Sequence, residues 1–424
     1  MKKITSLYLS NILYKKVYDE DGDSIGRLWD LYVAADDDYP RVIGYKIKKN
    51  SEMLSYEFRN IGFFQEDEER IVIKIRDAKE IIPRRYSYLL SKHLLDKQIV
   101  DINGKKLVRV NDLRLAQLTG ELKVVAVDTG ALALGRRLGI EGVVKGLYSM
   151  FNKRPADSLI MWSSVESLEM VNDNLKLAVP YKKLSQLHPA DLADILEEMD
   201  INYRNKVFAS LDQNLAADTL EEIDPEIQAD ILETMSETKA AEVLDSMPND
   251  EIADMLDDVD EEVAEKILMS LEKEDAEEVR GLMEYEEETV GSIMNKDYIS
   301  FNVNITADET IELLRKLKPD AEVAYYIYIT DEEERLQGVV SLRNLVVSNP
   351  QSKLKDIMDT NVIKISDNEL RDDGIELAVK YDLLSLPVVD KNDKLCGIVI
   401  MTDIVDEILL PSWKRKTRKA GRAS

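Results

Sequence analysis

Carboxylates are the side chains of this sequence that are most able to bind a ligand. Residues 189–284 contain 31 Asp and Glu residues but only 6 Lys and Arg residues, which gives the segment a net charge of −25. The whole chain of 424 residues has a net charge of −27, so nearly all of the excess lies in this one segment. Such a density of like charge repels itself unless cations or a basic partner neutralise it. The simpler alternative is an acidic surface that is merely solvated.

The scarcity of cysteine and histidine limits the chemistry that these carboxylates can support. The chain has one cysteine, Cys396, and two histidines, His93 and His188. This excludes internal disulfides and thiolate metal sites, and it leaves little scope for zinc binding or histidine-based catalysis. A bound metal is therefore expected to be a hard cation held by oxygen atoms, such as Mg²⁺, Ca²⁺ or Mn²⁺. No nucleophile–base pair or carboxylate dyad stands out among the acids, so we do not expect an enzyme.

A twelve-residue repeat between residues 189 and 284 must position most of these acids. Its first unit, residues 189–200, has apolar residues at positions 4, 7, 8 and 11, which lie on one face of a helix. Position 12 holds residues that can cap the following helix by accepting its free N–H groups, namely Asp200, Asp212, Asp224, Ser236 and Asp260. Because such short helices cannot bury an apolar face alone, the repeat predicts an all-helical solenoid.

The first 185 residues contain a second repeat, with an offset of 82 residues. The residues shared by its two copies are Asp19/Asp101, Gly22/Gly104, Asp30/Asp112 and Leu31/Leu113. The order of a strand, an Asp-x-x-Gly turn, an Ile-Gly-Arg-x-x-Asp segment and a second strand resembles the PRC-barrel family. The resemblance implies two small β-barrels that serve for docking. The repeated aspartates are expected to be turn and cap residues rather than ligands.

A glycine-rich segment lies between the second barrel-like copy and the helical repeat. Residues 135–146 contain four glycines together with Arg136, Arg137 and Lys145. The segment lacks the Lys-Ser/Thr pair of a phosphate-binding loop and the strand-to-helix context that such a loop needs. We therefore predict a flexible connection.

A third repeat follows the helical one. Ile293-Met294 returns as Ile357-Met358, and each copy shows the pattern helix, strand, turn, strand, helix. The Gly-x-x-Ser/Thr-x-x-Asp/Asn pattern at the last strand-to-helix step resembles a CBS-domain pair, in which the hydroxyl and the acid contact the phosphate and ribose of an adenosine nucleotide. The resemblance implies that Ser341, Asn344 and Asp403 bind ATP or AMP. The alternative is that these residues only cap helices.

From Gln186 to Leu410 the chain resembles the cytosolic part of the MgtE family of magnesium transporters. The resemblance is carried by a Tyr-Glu-Glu-x-x-x-Gly-x-x-Met motif at 285–294 and by the CBS-like stretches 321–329 and 338–345. In that family Mg²⁺ bridges carboxylates of the helical domain to those of the CBS pair, and the loaded form is the compact one. The ligands that the resemblance implies are Asp218, Asp250 and Asp254 in the helical repeat and Asp367, Glu369, Asp403, Asp406 and Glu407 in the CBS pair.

The C-terminal segment 412–424 combines Trp413 with six basic residues, at the point where the membrane domain of the family would follow. The sequence has neither a signal peptide nor a run of about 18 apolar residues, so we expect a cytoplasmic protein without a membrane span or pore of its own. A tryptophan beside a basic cluster suits an anionic membrane surface. The alternatives are a disordered end, or a tail that binds back to the acidic solenoid.

The predicted fold class is multidomain, with two small PRC-barrel-like β-barrels, an all-α solenoid of short helices and an α+β CBS-domain pair. The predicted boundaries are 1–88 and 89–185 for the barrels, 186–285 for the solenoid, 286–411 for the CBS pair and 412–424 for the basic tail. We expect a Mg²⁺-responsive regulatory protein, with ATP or AMP as an optional second ligand, that forms a homodimer through its CBS pair and acts on a separate metal-ion transporter. No nucleic-acid partner is expected. The alternative is a metal-independent adaptor that reads ATP or AMP and docks basic proteins.

Overall fold

The computed structural model describes residues 2–34, 39–59, 61–66, 70–81, 87–151, 158–168, 181–257, 259–286, 288–402 and 404–405. The chain divides into two compact units, Met1–Asp224 and Pro225–Ser424, and the boundary falls inside the helical repeat. The predicted ligands Asp403, Asp406 and Glu407 and the tail at 412–424 lie outside the described residues. Within these ranges no helix has the length and apolar character that crossing a bilayer requires.

The first unit begins with β-strands that belong to the two copies of the N-terminal repeat. Those of the first copy are β1 (Lys2–Lys3), β2 (Ser6–Tyr8), β3 (Lys16–Tyr18), β4 (Ser24–Ala34), β5 (Arg41–Lys49), β6 (Glu52–Glu57), β7 (Ile61–Gln65) and β8 (Ile71–Ile75). Those of the second are β9 (Ser87–Leu89), β10 (Gln98–Asp101), β11 (Lys106–Arg109), β12 (Asp112–Leu118), β13 (Glu121–Asp128), β14 (Leu159–Met161) and β15 (Val165–Ser167), with a short helix α1 (Leu90–His93) after β9.

Most of these strands join one sheet, in the order β1-β7-β8-β3-β4-β5-β13-β12-β2, with β6, β9 and β14 added to β5, β4 and β13. Each copy contributes one strand near its N-terminal end to the other copy. Strand β2 pairs with β12, where Leu7 lies opposite Leu115, and β9 pairs with β4, where Leu89 lies opposite Tyr32. One hydrophobic core contains buried residues of both copies. The barrel-like sheet agrees with the predicted fold class. The two copies of the N-terminal repeat share this sheet and this core.

The glycine-rich segment is helical, so the prediction of a flexible connection was wrong. Helices α2 (Ala131–Leu138) and α3 (Glu141–Met150) form a hairpin between β13 and β14. Gly139, with φ of 74°, ends α2 in the left-handed conformation that favours glycine. At Gly135 an added Cβ would lie 2.8 Å from the side chain of Val144, so this glycine allows the two helices to approach closely.

The twelve-residue repeat forms short helices in both units, as predicted. They are α4 (Pro189–Glu198), α5 (Ile201–Phe208) and α6 (Gln213–Glu221) in the first unit and α7 (Pro225–Thr234), α8 (Glu237–Leu244), α9 (Asn249–Asp257), α10 (Glu261–Leu268) and α11 (Lys273–Met283) in the second. The four apolar positions of the first repeat, Leu192, Ile195, Leu196 and Met199, are at most 3% exposed.

The predicted caps of these helices are confirmed at three positions. The side chains of Asp200, Asp212 and Ser236 accept hydrogen bonds from backbone N–H groups in the first turn of α5, α6 and α8. At Asp260 the prediction was wrong, because this side chain makes no capping hydrogen bond to α10. The acidic first turn of α10, with Glu261 and Glu262, still has a favourable interaction with the helix dipole.

The third repeat forms two similar α+β copies in the second unit. The first has β16 (Ser300–Asn302), α12 (Ala307–Leu317), β17 (Tyr326–Thr330), β18 (Leu336–Ser341) and α13 (Leu342–Val347). The second has α14 (Leu354–Ile357), β19 (Ile365–Ser366), α15 (Arg371–Lys380), β20 (Ser385–Val389) and β21 (Leu395–Ile400). Each sheet has a parallel pair followed by an antiparallel pair. A core cluster with Tyr328 and Leu336 from one copy and Val389 and Ile398 from the other joins them.

The methionine at the start of each copy also packs against a strand glycine of the other copy. An added Cβ at Gly397 would lie 2.7 Å from the sulfur of Met294, and one at Gly338 would lie 2.6 Å from that of Met358. Both glycines are therefore needed for this reciprocal packing, which explains why the Ile-Met pair recurs with the strands.

Candidate functional site

The segment 285–294 leads from the last solenoid helix into the first CBS-like copy and makes contacts with the second copy. Tyr285 donates its hydroxyl to a carboxylate oxygen of Asp367 at 3.2 Å. The backbone N–H groups of Val290 and Gly291 donate to the carbonyl oxygens of Glu369 and Asp367, both at 2.8 Å. The ring of Tyr285 lies against Gly291, where an added Cβ would be 2.2 Å from a ring carbon. The tyrosine, the glycine and the aspartate therefore form one interlocked contact.

Asp367, a predicted metal ligand, is placed at this contact and is 8% exposed. Its other carboxylate oxygen accepts hydrogen bonds from the Ser366 hydroxyl at 3.1 Å and the Asn368 amide at 2.6 Å. Burial, followed by the negative charge of Asp367, raises the pKa of Tyr285 to about 12, so the tyrosine stays a hydrogen-bond donor at neutral pH. In this conformation Asp367 holds the junction, while the side chain of Glu369 is exposed beside it.

Cys396 lies near the same junction as a neutral thiol. Burial, followed by the charges of Asp367 and Asp390, raises its pKa to about 12. The thiol donates to the carbonyl oxygen of Val388 at 3.5 Å. Because a thiolate is the form that binds metal or attacks an electrophile, this environment gives Cys396 a packing role.

Three acidic residues lie near enough for their charges to act on Asp297, and we refer to the four acids together as the Asp297 cluster: Asp275, Glu278, Asp297 and Asp320. Asp275 and Glu278 lie on α11 of the solenoid, whereas Asp297 and Asp320 belong to the first CBS-like copy. Although Asp297 reaches the solvent, the surrounding protein removes part of its hydration. This desolvation, followed by the charges of Glu278, Asp320 and Asp275, raises the pKa of Asp297.

The Asp297 cluster was not among the ligands predicted from the sequence. Asp275 and Glu278 are two acids among many on α11, and nothing in their spacing marks them. The amide of Asn249 donates to Glu278 at 2.9 Å, which ties the cluster to α9. The backbone N–H of Asp297 donates to the side chain of Asn295 at 2.6 Å, and Asn295 in turn pairs with Ile398 of the second copy. The cluster therefore has contacts with both the solenoid and the CBS-like copies.

The remaining predicted ligands are more dispersed. Asp250 and Asp254 lie one turn apart on α9, with Asp254 exposed, and Asp218 is exposed on α6 in the first unit. Among the residues that the structure describes, no three His, Cys, Asp or Glu side chains are grouped closely enough to enclose a metal ion. Mg²⁺ keeps most of its water and needs only one or two direct carboxylates, so the Asp297 cluster fits a hydrated Mg²⁺ better than a dehydrated ion.

The predicted nucleotide-binding residues of the first CBS-like copy lie at the start of α13. The hydroxyl of Ser341 accepts a hydrogen bond from the backbone N–H of Asn344 at 3.1 Å, as expected for a helix cap. The side chain of Asn344 is exposed. At the equivalent step of the second copy Ile400 is buried, and its predicted acid, Asp403, lies outside the described ranges.

Helices α12 and α13 expose a group of large apolar side chains. Leu317 on α12 is 61% exposed, and Val346 and Val347 on α13 are 65% and 68% exposed. These exposed residues at the helical side of the first copy are the kind of surface that a protein interface covers.

Three family models match the chain. They describe the MgtE intracellular N domain at residues 187–288, the CBS domain at residues 290–348 and 354–410, and the PRC-barrel domain at residues 4–80. The match to the first two covers both the helical repeat and the two copies that follow it.

Curated relatives include the magnesium transporter MgtE of Thermus thermophilus, 38% identical over 125 residues, and that of Enterococcus faecalis, 37% identical over 127 residues. Each alignment covers 30% of this chain and 28% of the relative, so the chain spans less than a third of the length of these proteins.

Two solved structures align over a larger part of the chain. A cytosolic domain of the Mg²⁺ channel MgtE in complex with ATP is 33% identical, with a TM-score of 0.52, and the alignment covers 54% of this chain and 93% of that one. The soluble part of a magnesium transporter is 32% identical, with a TM-score of 0.51 and coverage of 54% and 90%. The chain therefore belongs to the MgtE family through its N domain and CBS pair, to which a PRC-barrel domain is added at the N-terminal side.

Proposed function

We propose that this protein is a Mg²⁺-responsive regulator in which the cation sets how firmly the last solenoid helices are held against the CBS pair. The observation that carries the proposal is the Asp297 cluster, where the charges of Asp275 and Glu278 on α11 act on Asp297 of the first CBS copy. Like charges at such a contact oppose it, and a divalent cation among them removes the repulsion. The relationship to MgtE proteins, described as magnesium transporters, supports Mg²⁺ as the ion.

The residues that would hold the ion are carboxylates alone. Asp297 and Glu278 are the central candidates from the structure, with Asp275 and Asp320 as neighbours that interact through bound water. The ligands predicted from the family resemblance, including Asp250 and Asp254 on α9, extend the same acidic surface and belong to this proposal. Mg²⁺ supplies positive charge at this contact, and its binding favours the compact form over an open one.

The junction formed by Tyr285, Gly291 and Asp367 would carry the state of the solenoid to the second CBS copy. Helix α11 ends two residues before Tyr285, and the hydroxyl of Tyr285 reaches a carboxylate that also accepts hydrogen bonds from the side chains of Ser366 and Asn368. A displacement of α11 therefore has to strain or break this contact. The downstream target in this proposal is a separate metal-ion transporter, and the exposed apolar residues of α12 and α13 form the interface of a homodimer.

A second candidate function is supported by the nucleotide in a related structure. The MgtE cytosolic domain that is 33% identical to this chain was solved in complex with ATP. Under this second hypothesis ATP or AMP is the signal, and it is contacted by Ser341, Asn344 and Asp403. The protein is then an adaptor that docks basic partners independently of metal. Calorimetric titration with ATP, ADP and AMP in the absence of Mg²⁺ tests it, and an absence of heat for all three contradicts it.

The test of the Mg²⁺ proposal compares the wild type with Glu278→Gln/Asp297→Asn by small-angle scattering and thermal unfolding. At ten times the Kd, Mg²⁺ should stabilise the wild type by about 1.4 kcal/mol and reduce its radius of gyration, beyond the effect of NaCl at equal ionic strength. The variant should be the more stable protein without Mg²⁺, because the repulsion is gone, and should lose most of the response to Mg²⁺.

The matched control is Glu332→Gln/Asp356→Asn, which removes the same charge from two exposed positions outside the cluster. It should retain the full response to Mg²⁺. If NaCl reproduces the effect of MgCl₂, or if the cluster variant responds like the wild type, the Asp297 cluster is not the sensing site.

A further inference from the structure

The helical hairpin α2–α3 has the reverse of the usual distribution of polar and apolar side chains. The polar groups of α2 face the barrel. Arg136 donates to Asp112 at 3.0 Å and to Asp128 at 2.9 Å, and Arg137 donates to Asp96 at 2.6 Å. Leu134 and Leu138, which lie two residues before and after Arg136 and so on the side of the helix away from it, are 37% and 60% exposed. A helix on the surface of a soluble domain normally turns its apolar stripe inward.

Helix α3 continues the same surface. Val143, Leu147 and Met150 are spaced by four and three residues, so they lie on one face, and they are 63%, 51% and 73% exposed. No residue of this ten-residue helix is buried. Phe151, directly after the helix, is 67% exposed. The outward stripe of α3 is therefore apolar along its whole length.

The connection between the two helices is apolar as well. Leu138 and Ile140, on either side of Gly139, are 60% and 46% exposed. Connections between helices are normally polar, because they meet water. Both helices and their connection therefore expose large apolar side chains, more than the single scattered apolar residues that are normal on a soluble protein.

We propose that the α2–α3 hairpin, residues 131–151, binds the surface of a lipid bilayer that contains anionic lipid. Val143, Leu147, Met150 and Phe151 enter the boundary between headgroups and acyl chains, and the helices lie in the plane of the interface without crossing it. The inward arginine contacts hold the hairpin on the barrel, so the apolar surface is presented as a preformed unit.

The charge of the chain favours a lipid surface at this particular region. Residues 1–185 contain 31 basic and 26 acidic residues, a net charge of +5, whereas residues 189–284 have a net charge of −25. An anionic bilayer therefore repels the solenoid but not the region that carries the hairpin. Lys145 on α3 pairs with Glu141 at 2.9 Å, but its side chain is 63% exposed, so its ammonium can exchange this surface partner for a lipid phosphate.

The test uses the full-length protein and vesicles of phosphatidylcholine with about one third phosphatidylglycerol, and it measures co-sedimentation. A surface of this size should give reversible binding comparable with one acyl chain, on the order of 10⁴ M⁻¹. Leu147→Ser/Met150→Ser should weaken binding about 100-fold, roughly tenfold for each side chain. Both positions are exposed, so circular dichroism and the melting temperature should be unchanged.

Met269→Ser is the matched control, because Met269 is 81% exposed on the solenoid, and it should sediment like the wild type. The proposal is overturned if the wild type stays in the supernatant. Equal sedimentation of the wild type and the double variant also overturns the proposal. In that case the basic tail at 412–424 is the next segment to test for lipid binding. Self-association that the double variant abolishes, without lipid binding, would instead identify the hairpin as an interface between two copies of the chain.

Discussion

Asp112 accepts two hydrogen bonds from Ser10, one from the backbone N–H at 3.1 Å and one from the hydroxyl at 2.5 Å, although 102 positions separate the two residues. Its counterpart in the first copy, Asp30, accepts the same pair of hydrogen bonds from Ser91. Each copy of the N-terminal repeat thus satisfies the buried aspartate of the other, next to the exchanged strands β2 and β9. These contacts give Asp30 and Asp112 a structural role.

Removal of Arg136 should strongly destabilise the first unit. The carboxylates of Asp112 and Asp128 are buried, and the loss of their shared cation should cost about 3–5 kcal/mol in Arg136→Met. Its neighbour Arg137 pairs with Asp96, whose side chain is 58% exposed, so Arg137→Met should cost less than about 1 kcal/mol. Urea unfolding followed by tryptophan fluorescence measures both, and equal losses would contradict the proposed role of Arg136.

The stability of the first unit should depend on the ionisation of Asp30. Burial raises the pKa of Asp30 above its usual 3.8, against the opposing effect of its hydrogen bonds from Ser91 and Leu31. The folded protein thus holds this proton more tightly than the unfolded chain, so the contribution of Asp30 to stability falls as the pH rises from about 3.8 through the folded-state pKa.

The variant Asp30→Asn isolates this effect. Relative to the wild type it should become more stable across that pH range, and the difference should be constant at higher pH because Asp30 is then ionised in both states. The free energy of unfolding of the two proteins, measured at a series of pH values, checks this. A difference that does not change with pH would show that folding leaves the pKa of Asp30 unchanged.

Two glycines near the end of the solenoid should respond in opposite directions to substitution by alanine. Gly291→Ala places a Cβ within 2.2 Å of the Tyr285 ring and should destabilise the second unit by about 1–3 kcal/mol through displacement of that ring. Gly281→Ala lies within α11, where the nearest atom is the Lys296 ammonium at 3.7 Å, and should be neutral or stabilising by up to about 1 kcal/mol. Thermal unfolding of both variants, with and without Mg²⁺, checks the stabilities and also shows whether the junction transmits the response.

The proposed homodimer should depend on α12 and α13. Leu317→Glu/Val346→Glu introduces two charges at positions that are 61% and 65% exposed, so it should leave the fold intact and prevent association. Sedimentation velocity at micromolar concentrations should show a dimer for the wild type and a monomer for the variant. Met269→Glu, on the solenoid, controls for added charge at an exposed apolar site. A monomeric wild type would remove the dimer from the proposal.

Features with local periodicity could be predicted from the sequence. The twelve-residue spacing predicts the helices of the solenoid, because helix formation and the direction of an apolar face depend on residues three and four positions apart. The presence of a single cysteine and two histidines restricted metal chemistry to oxygen ligands before any contact was known. The recurrence of Ile-Met with a Gly-containing strand likewise predicted the duplicated α+β unit, since both copies repeat the same local pattern.

The glycine-rich segment shows how a local rule can mislead. Its four glycines suggested a flexible connection, but the spacing of Val143, Leu147 and Met150 carries a helical periodicity that the glycine count obscured. Even with that periodicity recognised, the sequence would have directed the apolar face toward the protein. In the fold, Arg136 faces the barrel, because β12 and β13 bring its partners Asp112 and Asp128 to it.

Only the tertiary structure decided which distant residues meet. The exchange of β2 and β9 between the N-terminal copies, the contact of Tyr285 with Asp367 and the assembly of the Asp297 cluster each join segments that the linear sequence keeps apart. Strand pairing and charge clustering depend on which backbones pack together, and the energy of that packing is summed over the whole core. The sequence by itself therefore determined the periodic helices and the duplicated units and limited any bound metal to oxygen ligands, whereas the fold selected, from many equivalent acids, the few whose charges act on Asp297.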